Sequence, residues 1–162
     1  MVLKWERVGY AILGRTHMLI GEYTHTLDEK NRVSLPAKFR KELGSKVVVT
    51  NGLDKCLFVF SMKAWTKFSE DIARLPLNQG DKRKYSRFML GGAVDSDVDA
   101  SGRVLIPDFL KTFAALKGSV IITGVHDRVE IWNEKAWSEY KQNVEKDIDV
   151  LAEKLGEAGA IS

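Results

Sequence analysis

The chain has 162 residues, of which 44% are hydrophobic and 29% are charged, and its formal net charge at pH 7 is +3. These values are typical of a soluble globular protein with one ordinary domain or two small ones. The single cysteine, Cys56, excludes an internal disulfide framework and fits a reducing cytosol. No apolar run approaches the roughly 18 residues of a transmembrane helix, so no membrane partner is expected.

The first seventeen residues contain a short apolar run, Val8–Leu13, between Arg7 and Arg15. The run is followed by no small-residue cleavage site before the polar stretch that starts at Thr24, which argues against a secretion signal. We therefore interpret residues 1–17 as an N-terminal extension without an assigned role.

Two blocks of sequence occur twice, in the same order. Residues Asp28–Arg40 recur as Asp99–Lys111, and residues Gly52–Trp65 recur as Gly124–Trp137. Two ordered matches of this kind are improbable by chance, so they indicate an internal duplication.

Each copy is expected to begin with a strand, a turn and a return strand. The alternating segment Glu22–Leu27 predicts a half-buried strand, and Val33–Leu35 and Val104–Ile106 predict the return strands. Asn31 and Gly102 occupy the same turn position and tolerate positive φ, which predicts a tight hairpin in each copy.

A short helix is expected next, because Pro36 and Pro107 suit a first helical turn. These helices should end near Gly44 and Gly118, since glycine commonly terminates a helix. Pairs of β-branched strands should then follow: Val47–Thr50 and Leu57–Phe60 joined by Asn51-Gly52, and Val120–Thr123 and Val129–Trp132 joined by Gly124.

Each copy closes with a longer amphipathic helix, in which apolar residues are three or four positions apart. We expect the first turns to cover the sheet of the same copy, and the far end of the second stripe to reach another subunit. The stripes are Trp65, Phe68, Ile72 and Leu75 in copy one, and Trp137, Tyr140, Val144, Ile148, Leu151 and Leu155 in copy two.

A unit of about 45 residues buries too little apolar surface to be comfortably stable alone. The two copies are therefore expected to pair face to face as a pseudo-dimer within one chain. The predicted division is an extension at 1–17, a first repeat at 22–68, a linker helix at 77–92, a second repeat at 93–140, and a C-terminal helix and tail at 141–162.

No sequence pattern predicts catalysis or metal binding. His17, His25 and His126 have no metal-ligand spacing with one another or with Cys56. Common nucleophile, zinc-protease and phosphate-loop motifs are absent. We expect a protein that is not an enzyme and that needs no cofactor and no small-molecule substrate.

The pattern D-x-x-x-R occurs once in each copy, as Asp28 with Arg32 and as Asp99 with Arg103. One interpretation is a structural ion pair that fixes a turn, worth about 0.2–1 kcal/mol when exposed. The other is a DNA contact, because a guanidinium held by a carboxylate still presents its fork to phosphate or to guanine O6 and N7. Spacing alone leaves both interpretations open.

Two segments that contain these motifs, GEYTHTLDEKNRVSLPAKFR (Gly21–Arg40) and FMLGGAVDSDVDASGRVLIP (Phe88–Pro107), closely resemble the two signature blocks of the MraZ family. The resemblance extends from about Met18 through the last helix. It implies an α+β fold of two tandem SpoVT-AbrB-like repeats, that is, swapped-hairpin, double-psi-like β-barrels that form an intrachain pseudo-dimer, each followed by a helix.

The same resemblance implies a sequence-specific DNA-binding transcriptional regulator that represses the division and cell-wall gene cluster. Such a protein would bind double-stranded DNA with G-rich direct repeats near the promoter, as a ring-shaped homo-oligomer, in the cytoplasm and associated with the nucleoid. By position, the implied DNA-binding residues are Lys30, Asn31, Arg32, Ser101, Gly102 and Arg103, with Asp28 and Asp99 in structural roles. Copy two has Ser101 where copy one has Lys30, so copy two is expected to contribute less to the electrostatic attraction of DNA.

Three other functions stay open on sequence grounds. A non-catalytic protein-interaction module would use the apolar helix stripes and leave the basic turns solvated. An enzyme is the least supported of the three, because no set of acid, base and nucleophile converges, although fold alone does not determine function. An AbrB-like antitoxin would keep DNA binding, but such antitoxins usually carry one copy and dimerise. The regulator hypothesis has one physical requirement, which is that Arg32 and Arg103 lie side by side on an open surface.

Overall fold

The computed structural model describes residues 18–161, so the interpretation of residues 1–17 as an extension without a role lies outside the described residues. The strands are β1 (Leu19–Thr26), β2 (Arg32–Ser34), β3 (Lys46–Asn51), β4 (Leu57–Ser61), β5 (Val94–Asp97), β6 (Arg103–Leu105), β7 (Ser119–His126) and β8 (Val129–Asn133). The helices are α1 (Ala37–Leu43), α2 (Met62–Ala73), α3 (Gly80–Met89), α4 (Asp108–Phe113) and α5 (Glu134–Glu157).

The two copies exchange strands within one antiparallel sheet. Its order is β1-β7-β8-β4-β3-β5, while β2 and β6 form a separate two-stranded ribbon. Strand β1 of copy one pairs with β7 of copy two, and β5 of copy two pairs with β3 of copy one. The strands of the two copies are thus interleaved, which confirms the swapped-hairpin pseudo-dimer that the family resemblance implies and replaces the simpler picture of two complete units in face-to-face contact.

The tight hairpin expected within each copy needs correction, because the first strand and the return strand hardly pair. In copy one, a single bridge between Leu27 and Val33 joins them. The return strand β2 pairs instead with β6 of the other copy, with Val33 opposite Val104. The turn itself forms, with Asn31 at a φ of 58° and Gly102 at 77°. The local sequence determines the turn, but burial in the assembled fold determines which strand pairs with the return strand β2.

Two apolar clusters lie on opposite faces of the sheet, because successive side chains of a strand alternate in direction. In β4, Leu57 joins the cluster shared with β2, β6, α1 and α4, whereas Phe58 joins the cluster under α2, α3 and the start of α5. Val33 and Val104, on the inner face of the ribbon, are fully buried in the first cluster. The inner face of the ribbon is therefore packed in the core, and its outer face is accessible to solvent.

Two element boundaries differ from expectation. Helix α4 ends at Phe113, well before Gly118, because Ala115 adopts a left-handed conformation with a φ of 49°. Gly124 lies inside β7 and not in a turn, since the strand continues to His126. A Cβ at Gly124 would come within 2.5 Å of the Leu19 carbonyl carbon, so glycine permits the close pairing of β7 with β1.

The terminal helix α5 contacts the sheet only through its first turns. Trp137 and Tyr140 pack against Trp132, with ring centroids 5.2 and 4.9 Å away. The far end of the apolar stripe is open among the described residues: Ile148 is 50% exposed and Leu155 is 47% exposed. The first turns thus behave as the sequence predicts, and the far end is an uncovered apolar stripe.

Candidate nucleic-acid interface

The β2–β6 ribbon brings the two D-x-x-x-R motifs together. Arg32 lies opposite Leu105, and Ser34 lies opposite Arg103, in an antiparallel register. Val33 and Val104 occupy the inner face, so the alternation of side chains places both arginines on the outer face. They are diagonal neighbours across the ribbon, a relation that separates Cα atoms by about 7–8 Å.

Asp28 organises the turn that precedes Arg32. Its Oδ1 accepts hydrogen bonds from the backbone N–H groups of Lys30 at 2.9 Å and of Arg32 at 2.8 Å, and its Oδ2 accepts one from Arg32 Nε at 2.8 Å. The bond from the Arg32 backbone N–H is the main cause that lowers the pKa of Asp28 below its usual value, against partial desolvation. The carboxylate thus holds both the turn and the arginine that leaves it.

Asp99 repeats this arrangement in copy two. It accepts hydrogen bonds from the backbone N–H groups of Ser101 and Arg103 and from Arg103 Nε, all at 2.9 Å. The backbone bond from Arg103 again is the leading cause of the lowered pKa of Asp99. Two turns separated by 71 positions of sequence therefore share one geometry. In both, the aspartate side chain bonds only Nε of the arginine, which is one of the five guanidinium N–H donors.

Neither arginine is sealed inside the protein. The side chain of Arg32 is 27% exposed and that of Arg103 is 33% exposed, while Lys30 and Ser101 are exposed at the tips of their turns. The structure thus brings Arg32 and Arg103 side by side on one accessible face, which is the arrangement that the regulator hypothesis requires.

Gly102 has a different place from the one expected, because it is buried under the side chain of Arg40. A Cβ at Gly102 would collide with the guanidinium of Arg40, which is held by a 2.8 Å hydrogen bond from Nε to the Leu35 carbonyl. The backbone of Gly102 is also occupied, since its carbonyl accepts from Leu35 N–H at 2.9 Å. Gly102 therefore shapes the turn and is not placed to contact a partner directly.

The side chain of Asn31 is likewise engaged by the opposite copy. Its amide nitrogen donates to Asp108 at 2.9 Å, and its amide oxygen accepts from Lys111 Nζ at 2.9 Å. Arg40 and Lys111 are equivalent positions of the repeat, so each copy sends a basic side chain from its short helix to the turn of the other copy. Asn31 is half-buried by these contacts and acts first as a support for the turn.

Sequence reasoning missed four residues that form this surface: Ser34, Arg40, Leu105 and Lys111. The first and third share the outer face with the arginines, and the second and fourth support the turns from below. A signal was available for the pair Arg40 and Lys111, since both carry a basic side chain at the same repeat position. Strand exchange, which decides what they touch, leaves no mark in the local pattern.

Outside the ribbon, the described residues were compared with the requirements of a metal site, a membrane helix and a reactive thiol. Between residues 18 and 161, no group of three or more metal-ligating side chains is close enough to hold an ion. No helix in that range has the length and apolar character that a bilayer span requires. Cys56 is fully buried, and desolvation raises the pKa of its thiol far above the usual value, so it behaves as a small apolar side chain.

Comparison with known proteins gives a consistent result over nearly all of the described chain. A family model described as "MraZ protein, putative antitoxin-like" matches twice, at residues 18–88 and 89–155. The protein named "Transcriptional regulator MraZ" of Caldanaerobacter subterraneus subsp. tengcongensis is 48% identical over 138 residues, which cover 85% of this chain and 96% of the relative. Its namesake in Caldicellulosiruptor saccharolyticus is 45% identical over 142 residues, covering 88% of this chain and 99% of the relative.

The two family matches coincide with the two copies of the repeat, and the relatives are similar along almost their whole length. The α+β architecture with an exchanged antiparallel sheet agrees with tandem AbrB-like repeats. From the duplicated motif, the ribbon that unites both copies and these matches, it follows that the chain belongs to the MraZ family.

Proposed function

We propose that this protein is a sequence-specific DNA-binding transcriptional regulator, and that its β2–β6 ribbon is the element that enters the DNA. The observation that carries the proposal is the common outer face on which Arg32 and Arg103 lie. A major groove about 12 Å wide admits a two-stranded ribbon, and arginine pairs bidentately with O6 and N7 of guanine. The printed name of the relatives, transcriptional regulator, supports the same role.

Within this proposal, the contacts divide by type. Arg32 and Arg103 read guanine, because each is held in place through Nε and keeps its terminal amino groups outside that bond. Lys30 contacts phosphate at the tip of the first turn, while Ser101 offers a hydroxyl at the second tip. Asn31 and Gly102 contribute through the shape of the turn, and Asp28 and Asp99 hold the arginines.

A single ribbon makes few contacts, so one chain should bind DNA weakly. We propose that several chains assemble into a ring, which presents the ribbons at regular spacing to G-rich direct repeats. Each later contact then benefits from a high effective concentration. The uncovered stripe of α5 supports an assembly of this kind. By family resemblance, the regulated target is the division and cell-wall gene cluster, the outcome is repression, and the protein resides in the cytoplasm with the nucleoid.

The direct test is an electrophoretic mobility assay with a duplex of G-rich direct repeats and a scrambled duplex of the same composition. We expect the wild-type chain to prefer the repeats, and R32A or R103A to weaken that binding by about 5- to 150-fold, as for one lost guanine contact of about 1–3 kcal/mol. R74A removes an exposed arginine paired with Asp71 on another surface, and it is the matched control.

The fold must be measured alongside, since the arginines also close their turns. Circular dichroism should show R32A with the wild-type fold, and thermal unfolding should show only a small loss of stability from the missing bond to Asp28. If R32A is folded and binds the repeats as tightly as the wild type, or if the wild type does not distinguish repeats from scrambled DNA, the ribbon is not a sequence reader. The second result would favour a protein-interaction module.

A further inference from the structure

Leu105 is an exposed apolar residue on the face of the ribbon that carries both arginines. It is 53% exposed and lies directly opposite Arg32. The hydrogen bonds from Ile106 N–H to the Asn31 carbonyl (2.8 Å) and from Leu35 N–H to the Gly102 carbonyl (2.9 Å) bound the three pairs of the ribbon, and hydrogen-bonded pairs alternate along an antiparallel ladder. Arg32 and Leu105 therefore form a non-hydrogen-bonded pair, the kind in which facing side chains approach most closely.

The two ends of the ribbon differ at this position. In the repeat, Ser34 is the equivalent of Leu105, and it lies opposite Arg103 in the same register. One arginine thus has a leucine beside it, and the other has a serine. The arginines are equivalent, but the chemistry next to each of them is different.

We propose that Leu105 is a specificity-determining residue that contacts the 5-methyl group of a thymine beside the guanine read by Arg32. The inference rests on the proposed function. Facing Cβ atoms lie about 4.5–5.5 Å apart across a strand pair, and bases of one strand are stacked about 3.4 Å apart. A side chain next to Arg32 therefore reaches the neighbouring base pair, where the thymine methyl is the apolar group of the major-groove edge.

At the other end of the ribbon, Ser34 presents a hydroxyl beside Arg103 and makes no apolar contact of this kind. A hydroxyl accepts or donates a hydrogen bond with any base edge or with phosphate, so it selects weakly. The ribbon then recognises a thymine at one end only, and the DNA unit that it prefers has a direction.

The test uses the full chain and duplexes that the wild-type protein selects from a random library. Each selected duplex is resynthesised with deoxyuridine in place of one thymine at a time, which removes only the methyl group. We expect one thymine position at which the wild type loses about fourfold in affinity, as burial of one methyl-sized group gives. L105S should bind the thymine duplex about as weakly as the wild type binds the uracil duplex, and should not respond to the substitution.

The matched variant is the exchange S34L/L105S, which moves the leucine to the other end of the ribbon. Its sensitivity to deoxyuridine should move to a thymine beside the second guanine. If the wild type selects DNA but ignores every deoxyuridine, or if L105S keeps the full response, the inference is wrong while the proposed function stands. A changed sedimentation coefficient of L105S with an unchanged deoxyuridine response would place Leu105 in a contact between chains and also overturn it. If the wild type selects no DNA, the proposed function fails first.

Discussion

Asp28 and Asp99 do more at the turns than neutralise an arginine. Each carboxylate accepts two backbone N–H bonds as well as the bond from Nε, so the acid fixes the turn and the arginine together. The two interpretations of D-x-x-x-R from sequence, an ion pair and a DNA contact, are therefore compatible. The aspartate is the support, and the arginine is the group that it presents.

The lowered pKa values of Asp28 and Asp99 predict how stability depends on pH. A group whose pKa is lowered on folding contributes stability above its unfolded pKa of about 3.9, and this contribution is lost as pH falls through the lower folded value. We expect the double variant D28N/D99N to be less stable than the wild type at pH 7. The difference should shrink as pH falls below about 4.

Urea unfolding followed by circular dichroism between about pH 2 and pH 7 measures this effect. The variant D71N, which changes an exposed carboxylate on α2, is the control, and its curve should run parallel to that of the wild type. A gap between D28N/D99N and the wild type that is constant over the whole pH range would contradict the role of the two charges.

At the scale of elements, each short helix serves the turn of the opposite copy. Arg40 lies over Gly102, and Lys111 with Asp108 holds the side chain of Asn31. Helix α1, which follows β2, therefore stabilises the turn before β6. Helix α4, which follows β6, stabilises the turn before β2. Neither turn keeps its full support within its own copy.

The collision at Gly102 predicts a graded effect of two glycine substitutions. Gly118 has a positive φ of 60° and open space around its Cβ position, so G118A should cost about 1 kcal/mol from backbone conformation alone. Gly102 has a positive φ of 77° and also meets Arg40, so G102A should cost about 3 kcal/mol.

Thermal and urea unfolding of both variants measure these costs, and a double-mutant cycle with R40A separates the two causes. In the R40A background, the cost of G102A should fall toward that of G118A, because the obstructing side chain is gone. If G102A lowered the free energy of unfolding equally in the wild type and in R40A, the Arg40 side chain would move aside without loss of stability.

For the whole molecule, the uncovered end of α5 matters most. Ile148, Leu151 and Leu155 form one apolar stripe, whereas Val150 is 52% exposed on another side of the same helix. If the stripe joins chains, I148E/L151E should lower the assembly state and leave the fold intact, while the matched control V150E should not. Analytical ultracentrifugation measures the assembly.

The same pair of variants links assembly to DNA binding. I148E/L151E should lose affinity for an array of repeats by at least about 100-fold, the lower range of a multivalent gain, and bind a single repeat as the wild type does. If I148E/L151E kept the assembly state of the wild type, α5 would not be part of the contact between chains.

Local pattern was sufficient for most elements and for the turns that carry Arg32 and Arg103, but not for the connections between copies. Pro36 and Gly44 bracket α1 as expected, and the alternation in β1 places Tyr23 and His25 on its less exposed side. The same alternation is compatible with a hairpin or with an exchanged strand, so it does not choose the partner of β2. The burial of Gly102 depends on Arg40 from the other copy, and for that reason no pattern around Gly102 predicts it.

The fusion of both copies into one chain also frees the protein from a constraint of symmetry. A homodimer of single copies carries identical tips, so a substitution in one tip appears in both, and its operator tends to be a palindrome. Here Lys30 is matched by Ser101, and Ser34 by Leu105, at the two ends of a single ribbon. Under the proposed function, each half can therefore acquire its own base preference by independent mutation, and the DNA sites of such a chain are free to be asymmetric.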